Sequence, residues 1–187
     1  FPGERYARSF HFENPNTCVT CHMFKTPAEG EEGHNRVGGH TFNVRSPEEF
    51  TGVQHGREAG EKVANMAACQ QCHPGLQQLN RRARGDYDGD GRVEGVQDEV
   101  RDLLALVKSA PGYSATIKRT STLEQAAARW NVAFVEQEGS TGIHNTAYAV
   151  TLLQRSYKKL AGNELPGADI LSKRDDFTAK RGVLRLK

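Results

Sequence analysis

A mainly α fold, rich in loops and carrying two or three longer helices toward the C-terminus, is predicted by three features of the 187-residue chain. Only 36 % of its residues are hydrophobic while 19 are glycine and 7 proline, which favours long loops over regular structure. Apolar residues recur at helical spacing most clearly in the second half, over about 96–109, 122–136 and 144–160. Cysteine is confined to two copies of one short motif, Cys18-Val-Thr-Cys21-His22 and Cys69-Gln-Gln-Cys72-His73.

Each copy has the pattern of a c-type haem attachment site. Two thiols add to the haem vinyl groups, and the adjacent imidazole, His22 or His73, becomes an axial iron ligand. A four-thiolate zinc site or a pair of disulfides would also use four cysteines, but neither needs a histidine after the second one. Two covalent haems c are therefore expected, bound through Cys18, Cys21, Cys69 and Cys72. Haem also answers the shortage of apolar residues, because each macrocycle is a large apolar body around which a loop-rich chain can pack as its core.

Taken in order, residues 1–52 are polar and broken by Gly and Pro, and should wrap the first haem as loop, with a short helix over the first motif. His11, His34, His40 and His55 fall in or beside this segment, a density of imidazoles that suits sixth-ligand roles. From about 53 to 68 the pattern is helix-compatible and leads into the second motif; 76–84 reads as a basic helical turn ended by Gly85. Next, Asp86-Tyr-Asp88-Gly-Asp90-Gly91-Arg92 follows the opening of an EF-hand-type calcium loop, with the Arg92 carbonyl at position seven. Position twelve is Gln97 in place of the bidentate Glu, with Asp98 and Glu99 one and two residues late. The alternative is an acidic turn that caps the following helix.

That helix is expected over 96–109, with Val96, Val100, Leu103, Leu104 and Val107 on one face and Pro111-Gly112 as its stop. Thr122 with Gln125 resembles a capping box opening a helix through Glu136. A last helix is expected from His144 to about Leu160, followed by a loose charged tail after Pro166. No internal repeat beyond the two motifs and no low-complexity linker is evident, so 1–187 reads as a single dihaem unit: 1–52 around the first haem, 53–112 around the second haem and acidic loop, 113–165 helical, 166–187 tail. Trp130, Phe134 and Tyr148 read as ordinary core, and Arg81, Arg82 and Arg84 as a solvated basic face.

A formal charge of +2 with no long single-sign run excludes nucleic acid as an expected partner, and no run approaches the roughly 20 apolar residues of a transmembrane segment. A chain that starts at Phe1 without a signal-like segment reads as a mature or truncated product. Haem attachment at such motifs takes place outside the cytoplasm, which implies a periplasmic or extracellular protein.

Three landmarks in order, Cys18-Val-Thr-Cys21-His22-Met23, Cys69-Gln-Gln-Cys72-His73 and Gly142-Ile143-His144-Asn145-Thr146-Ala147-Tyr148-Ala149, resemble the C-terminal two-haem part of the ammonia-forming cytochrome c nitrite reductase superfamily and its electron-transfer relatives. The resemblance runs from about His11 to Tyr157. It implies that His144 is the distal ligand of the haem on Cys18 and Cys21, and His11 that of the haem on Cys69 and Cys72. It assigns His40, in Gly38-Gly39-His40-Thr41-Phe42, to an earlier haem that this chain does not attach. Either His40 serves a haem from a neighbouring subunit or segment, or the ligands are rewired and it closes one of the chain's own two. A His at the start of an amphipathic helix, as expected for His144, would be held rigidly by helix packing. The superfamily's reductases work at a haem whose motif carries Lys in place of His, and no such motif occurs here. With both irons closed by two imidazoles, the expectation is an electron-transfer multihaem cytochrome c and not an enzyme. Redox partners would be other haem proteins, and an exchanged His40 would build a homo-oligomer or filament. The alternative is a part of a nitrite- or hydroxylamine-type reductase whose catalytic haem lies elsewhere.

Overall fold

The computed structural model describes residues 1, 4–7, 9–46, 63–174 and 183–185. His55, and the 53–62 portion of the expected helix before the second motif, lie outside the described residues. The fold is mainly helical and loop-rich. Its helices are α1 (Cys18–His22), α2 (Met66–Gln70), α3 (Val96–Ser109), α4 (Leu123–Gln137) and α5 (Thr146–Ala161). Two three-residue strands, β1 (Arg5–Ala7) and β2 (Val183–Arg185), pair antiparallel with Tyr6 opposite Leu184.

The chain packs as two compact units, Phe1–Phe12 with Asn80–Lys187, and Glu13–Leu79. In the first, α5 packs against both α3 and α4. Val100, Leu103 and Val107 of α3, Val132 and Val135 of α4, and Val150 and Leu153 of α5 are buried in one core. Those positions are three or four apart along each helix, so each presents one apolar stripe. Burying Leu103 or Leu153 completely stabilises the fold by about 2–3 kcal/mol each.

The ends of these helices follow from their residues. Asp98 and Glu99 in the first turn of α3 and Lys108 in its last complement the helix dipole. Thr122 caps α4 in a full capping box, its hydroxyl accepting from Gln125 N and the Gln125 side chain accepting from Thr122 N. Asn145 caps α5 by accepting from Tyr148 N, and Gly162, at φ 80°, closes it.

His144 thus lies before α5, two residues ahead of its first residue, and is exposed; the expected helix start is shifted by the Asn145 cap. Residues 76–84 form bends and irregular backbone and not a helical turn, because Arg82 is drawn into an isolated bridge with Gly95. From Gly167 to Arg174 the chain is held. The buried Gln154 donates to the carbonyls of Tyr87 and Asp169 and accepts from Leu171 N, and Leu171 is buried. Trp130 is 73 % exposed and Phe134 45 %, so neither is ordinary core. Phe134 nonetheless meets the edge of Tyr148, and Tyr148 that of the buried Tyr6.

The second unit, Glu13–Leu79, has little protein core of its own. Among its described residues the buried hydrophobics are Val37, Val63 and Ala68, while Val19, Met23 and Phe42 are exposed. Its helices α1 and α2 pack together. Backbone ties between Ser46 N and the Val63 carbonyl, and between Asn65 N and the Val44 carbonyl, hold its loops. Gly38, at φ 72°, admits no side chain, because a Cβ there would collide with the Phe24 carbonyl oxygen. Its neighbour Gly39 donates to that same carbonyl, which fixes the turn that carries His40.

Candidate functional site

Both cysteine motifs lie in the second unit. Cys18, Cys21 and His22 all sit on the single turn of α1, at helical positions i, i+3 and i+4. In the second copy Cys69 is on α2, and the chain continues the turn through Cys72 N and His73 N, both donating to the Cys69 carbonyl. None of the four cysteines is disulfide-bonded. Burial raises the Cys21 thiol above its ordinary value, with Cys72 and then Cys18 adding to the shift; burial, then Cys21, does the same for Cys69. The thiols of the two motifs therefore lie near one another.

They do not form a compact metal cage. Among the described residues, the one set of three or more His, Cys, Asp or Glu ligand atoms within 4.8 Å of one another is Asp86, Asp88 and Glu99. A tetrahedral zinc site would need the four sulfurs about 2.3 Å from one ion. Cysteines paired on helical turns without disulfides, two of them exposed, suit addition to a haem edge instead. His22 suits an iron as well. Its Nδ1 lies 2.9 Å from the Phe42 carbonyl oxygen, and its ring stacks on Phe42 at 4.6 Å. A carbonyl can only accept, so the proton sits on Nδ1 and the ligating lone pair on Nε2.

The two histidines that the resemblance names as distal ligands come together in the first unit. His11, on a single 3-10 turn (Phe10–Glu13), has Nδ1 3.2 Å from the His144 carbonyl oxygen, which also accepts from the Ser9 hydroxyl at 2.7 Å. The His144 ring has Nδ1 2.9 Å from Glu138 Oε2. Burial would raise the Glu138 carboxyl, but the bonds from His144, Gly142 and Ser140 outweigh it and hold it at about 2; that bond to Glu138 in turn raises His144. As at His22, both rings present a protonated Nδ1 to an acceptor and so the lone pair on Nε2. His40 stands exposed on the turn held by Gly38 and Gly39, two residues before Phe42. His34 is engaged at both ring nitrogens, by the Pro27 carbonyl and the Asn35 side chain.

Backbone strain collects at these places. Of the non-glycine residues with positive φ, Thr17 at 43° immediately precedes Cys18, Phe42 at 57° stacks on His22, and Thr141 at 52° lies three residues before His144. Such conformations cost about 1–3 kcal/mol each and gather where function fixes the chain.

The acidic loop is ordered by its own backbone. Asp86 accepts from Gly89 N and Gly91 N, Asp88 from Asp90 N, and Asp90 from Arg92 N. Gln97 turns away, its Nε2 donating to the Ser140 carbonyl at 3.1 Å. The third carboxylate of the cluster is Glu99, 1 % exposed, which accepts from Tyr87 N and Glu94 N. Counting twelve positions missed it. The available signal was that Glu99 falls on the apolar face of α3, one turn from Val96 and Leu103, where a charge is out of place. Burial first, and then Asp86, Glu99 and Asp90 against the opposing N–H of Asp90, pushes Asp88 up to about 6. Glu138 was also missed, although an acid at the C-terminal end of a helix, where the dipole disfavours it, marks that position.

Two helical Cys-x-x-Cys-His turns without disulfides, in a loop-rich unit with few buried hydrophobics among its described residues, define a c-type cytochrome. The chain matches the cytochrome c552 family model over residues 2–175 and belongs to that family, the family of the cytochrome c nitrite reductases. Neither a curated protein nor a solved structure matches it. Membership establishes covalent haem c and haem-based electron transfer or nitrite reduction, with other redox proteins as partners. It also overturns the expectation that the protein is not an enzyme, because the family is enzymatic. Among the described residues no helix is long and apolar enough to cross a membrane.

Proposed function

We propose that this chain holds two haems c and relays electrons within a haem-based reductase of the nitrite-reducing type. Cys18 with Cys21 and Cys69 with Cys72 make the thioether bonds, His22 and His73 are the proximal ligands, and His144 and His11 the distal ones. Bound in this way, haem supplies one-electron iron chemistry of fairly low potential. The observation that carries the reading is the pair of Cys-x-x-Cys turns, each followed by its own histidine, with every cysteine of the chain used in them and none in a disulfide. The chain's residues orient the iron ligands through Nδ1 bonds to Phe42, Glu138 and the His144 carbonyl, and leave no attachment motif ending in Lys for an open site. The open, substrate-binding haem then belongs to another segment or subunit.

His40 serves a haem other than the chain's own two, supplied by a neighbouring subunit in an oligomer or filament. Its support is its exposure on a turn fixed by Gly38 and Gly39. A calcium ion at Asp86, Asp88 and Glu99 would neutralise three clustered carboxylates. The protein works in the periplasm or outside the cell, where haem is attached to such motifs.

The test is the intact mass of the native assembly, read together with low-temperature electron paramagnetic resonance of the oxidised protein. Two haems per chain, both low-spin, is the expected result. A high-spin iron on this chain, or one that exchanges its ligand for nitrite or carbon monoxide, would move the catalytic site onto the chain itself.

A further inference from the structure

Glu138 closes α4 and faces three donors at once. Its Oε1 accepts from Gly142 N at 2.7 Å, and its Oε2 accepts from the Ser140 hydroxyl at 2.6 Å and lies 2.9 Å from His144 Nδ1. Ser140 in turn accepts from His144 N at 3.0 Å, so the loop 139–144 is wound around this one side chain, which is 16 % exposed. An amide, with one acceptor oxygen and a donor NH2, could not accept on both sides as the carboxylate does. What the carboxylate adds is a negative charge in line with the imidazole.

We infer that Glu138 is a positioning residue for the haem iron, one that fixes the His144 ring with Nε2 as the ligating nitrogen and makes that ligand electron-rich, lowering the potential of the haem it holds. The inference rests on the proposal that His144 is an axial ligand. A carboxylate behind a ligating histidine raises its basicity, and loss of such a partner costs about 10–100-fold in metal affinity. The added electron density favours ferric over ferrous iron. Removing the charge therefore shifts the potential upward.

The experiment is a spectroelectrochemical titration of the haem-loaded protein and three variants. Glu138→Gln keeps the shape, removes the charge and leaves one acceptor oxygen in place of two. It is expected to weaken the ferric preference of one haem about tenfold, an upward shift of about 59 mV for a one-electron couple, while the second haem moves far less. Ser140→Ala loosens the loop but keeps the charge, and should leave both potentials near those of the parent. His144→Ala should turn one haem high-spin. If His144→Ala leaves both haems low-spin, the ligation reading fails and this inference falls with it. If it gives a high-spin haem but Glu138→Gln changes the ferric preference by less than twofold, the ligation stands and the role of Glu138 is refuted. An equal shift in Ser140→Ala would reduce Glu138 to a loop clamp and also refutes it. Should Glu138→Gln fail to take up haem, Glu138→Asp, which keeps the charge at a longer reach, is expected to show a smaller shift of the same sign, and no shift would refute the role.

Discussion

The loop that sets His144 can be tested through its glycines. Gly139 and Gly142 both take positive φ, 75° and 88°, so alanine at either costs about 1–2 kcal/mol in backbone strain. Stiffening of the unfolded chain returns about 0.4–1 kcal/mol, which leaves Gly139→Ala destabilised by about 1 kcal/mol. A Cβ at Gly139 would meet nothing within 4 Å, whereas one at Gly142 would lie 2.8 Å from Val100 Cγ2. Val100 is fully buried on α3 and cannot swing away into solvent. Forcing a methyl into such a core costs about 1–3 kcal/mol more, so Gly142→Ala should lose about 3 kcal/mol in all. With a urea slope of about 2 kcal/mol per molar, its midpoint falls by about 1.5 M and that of Gly139→Ala by about 0.5 M. The assay is urea unfolding of the haem-loaded variants followed by far-ultraviolet circular dichroism, which reports α3, α4 and α5. Equal midpoints for the two variants would refute the claim that α3 braces the loop carrying His144.

Three further outcomes are expected. Leu153→Ala should cost about 2–5 kcal/mol because the side chain is wholly buried against α3 and α4, whereas Trp130→Ala should change stability by no more than about 0.5 kcal/mol; the same urea assay separates them. Asp88 has a folded value of about 6 against 3.8, so its contribution to stability is complete below 3.8 and is lost as pH rises through about 6, with Glu99 shifted in the same direction. In chelator the melting temperature should therefore lose stability across that window, and either calcium or Asp88→Asn should remove the loss; a slope indifferent to both would count against the cation site. His40→Ala should leave haem content intact and break assembly, and a native mass unchanged from the parent would dispose of ligand exchange between subunits.

Much of the helical unit was readable because its helices obey local rules. The spacing of Val96, Val100, Leu103 and Val107 and the stop at Pro111 gave α3 its observed ends, and Thr122 with Gln125 gave the observed cap of α4. What was misread depends on partners distant in sequence. Arg82 joins Gly95 and not a helical turn, and the tail is held by Gln154, a polar residue whose three bonds reach Tyr87, Asp169 and Leu171. The exposure of Trp130 could not be read from helical spacing, since it lies one turn from Phe134, which is also exposed, and periodicity reports a face without naming what covers it. At the acidic loop the first two carboxylates were visible from spacing, but the third, Glu99, comes from the next helix and is fixed by the backbone N–H groups of Tyr87 and Glu94.

The failed expectation about enzymatic activity has a different origin. Counting imidazoles for two irons is a local inference, and it concerns only whether those two haems have room for substrate. Reductive chemistry that consumes several electrons needs closed, low-potential haems to deliver them as much as it needs one open haem to spend them. Bis-histidine ligation, as proposed for this chain, therefore says nothing against membership of an enzymatic family. The bond from His144 to Glu138 and the pairing of His11 with the His144 carbonyl suit the proposed relay: each imidazole is held in one tautomer, on a strained loop braced by the α3–α5 core, so that little would rearrange when an electron arrives.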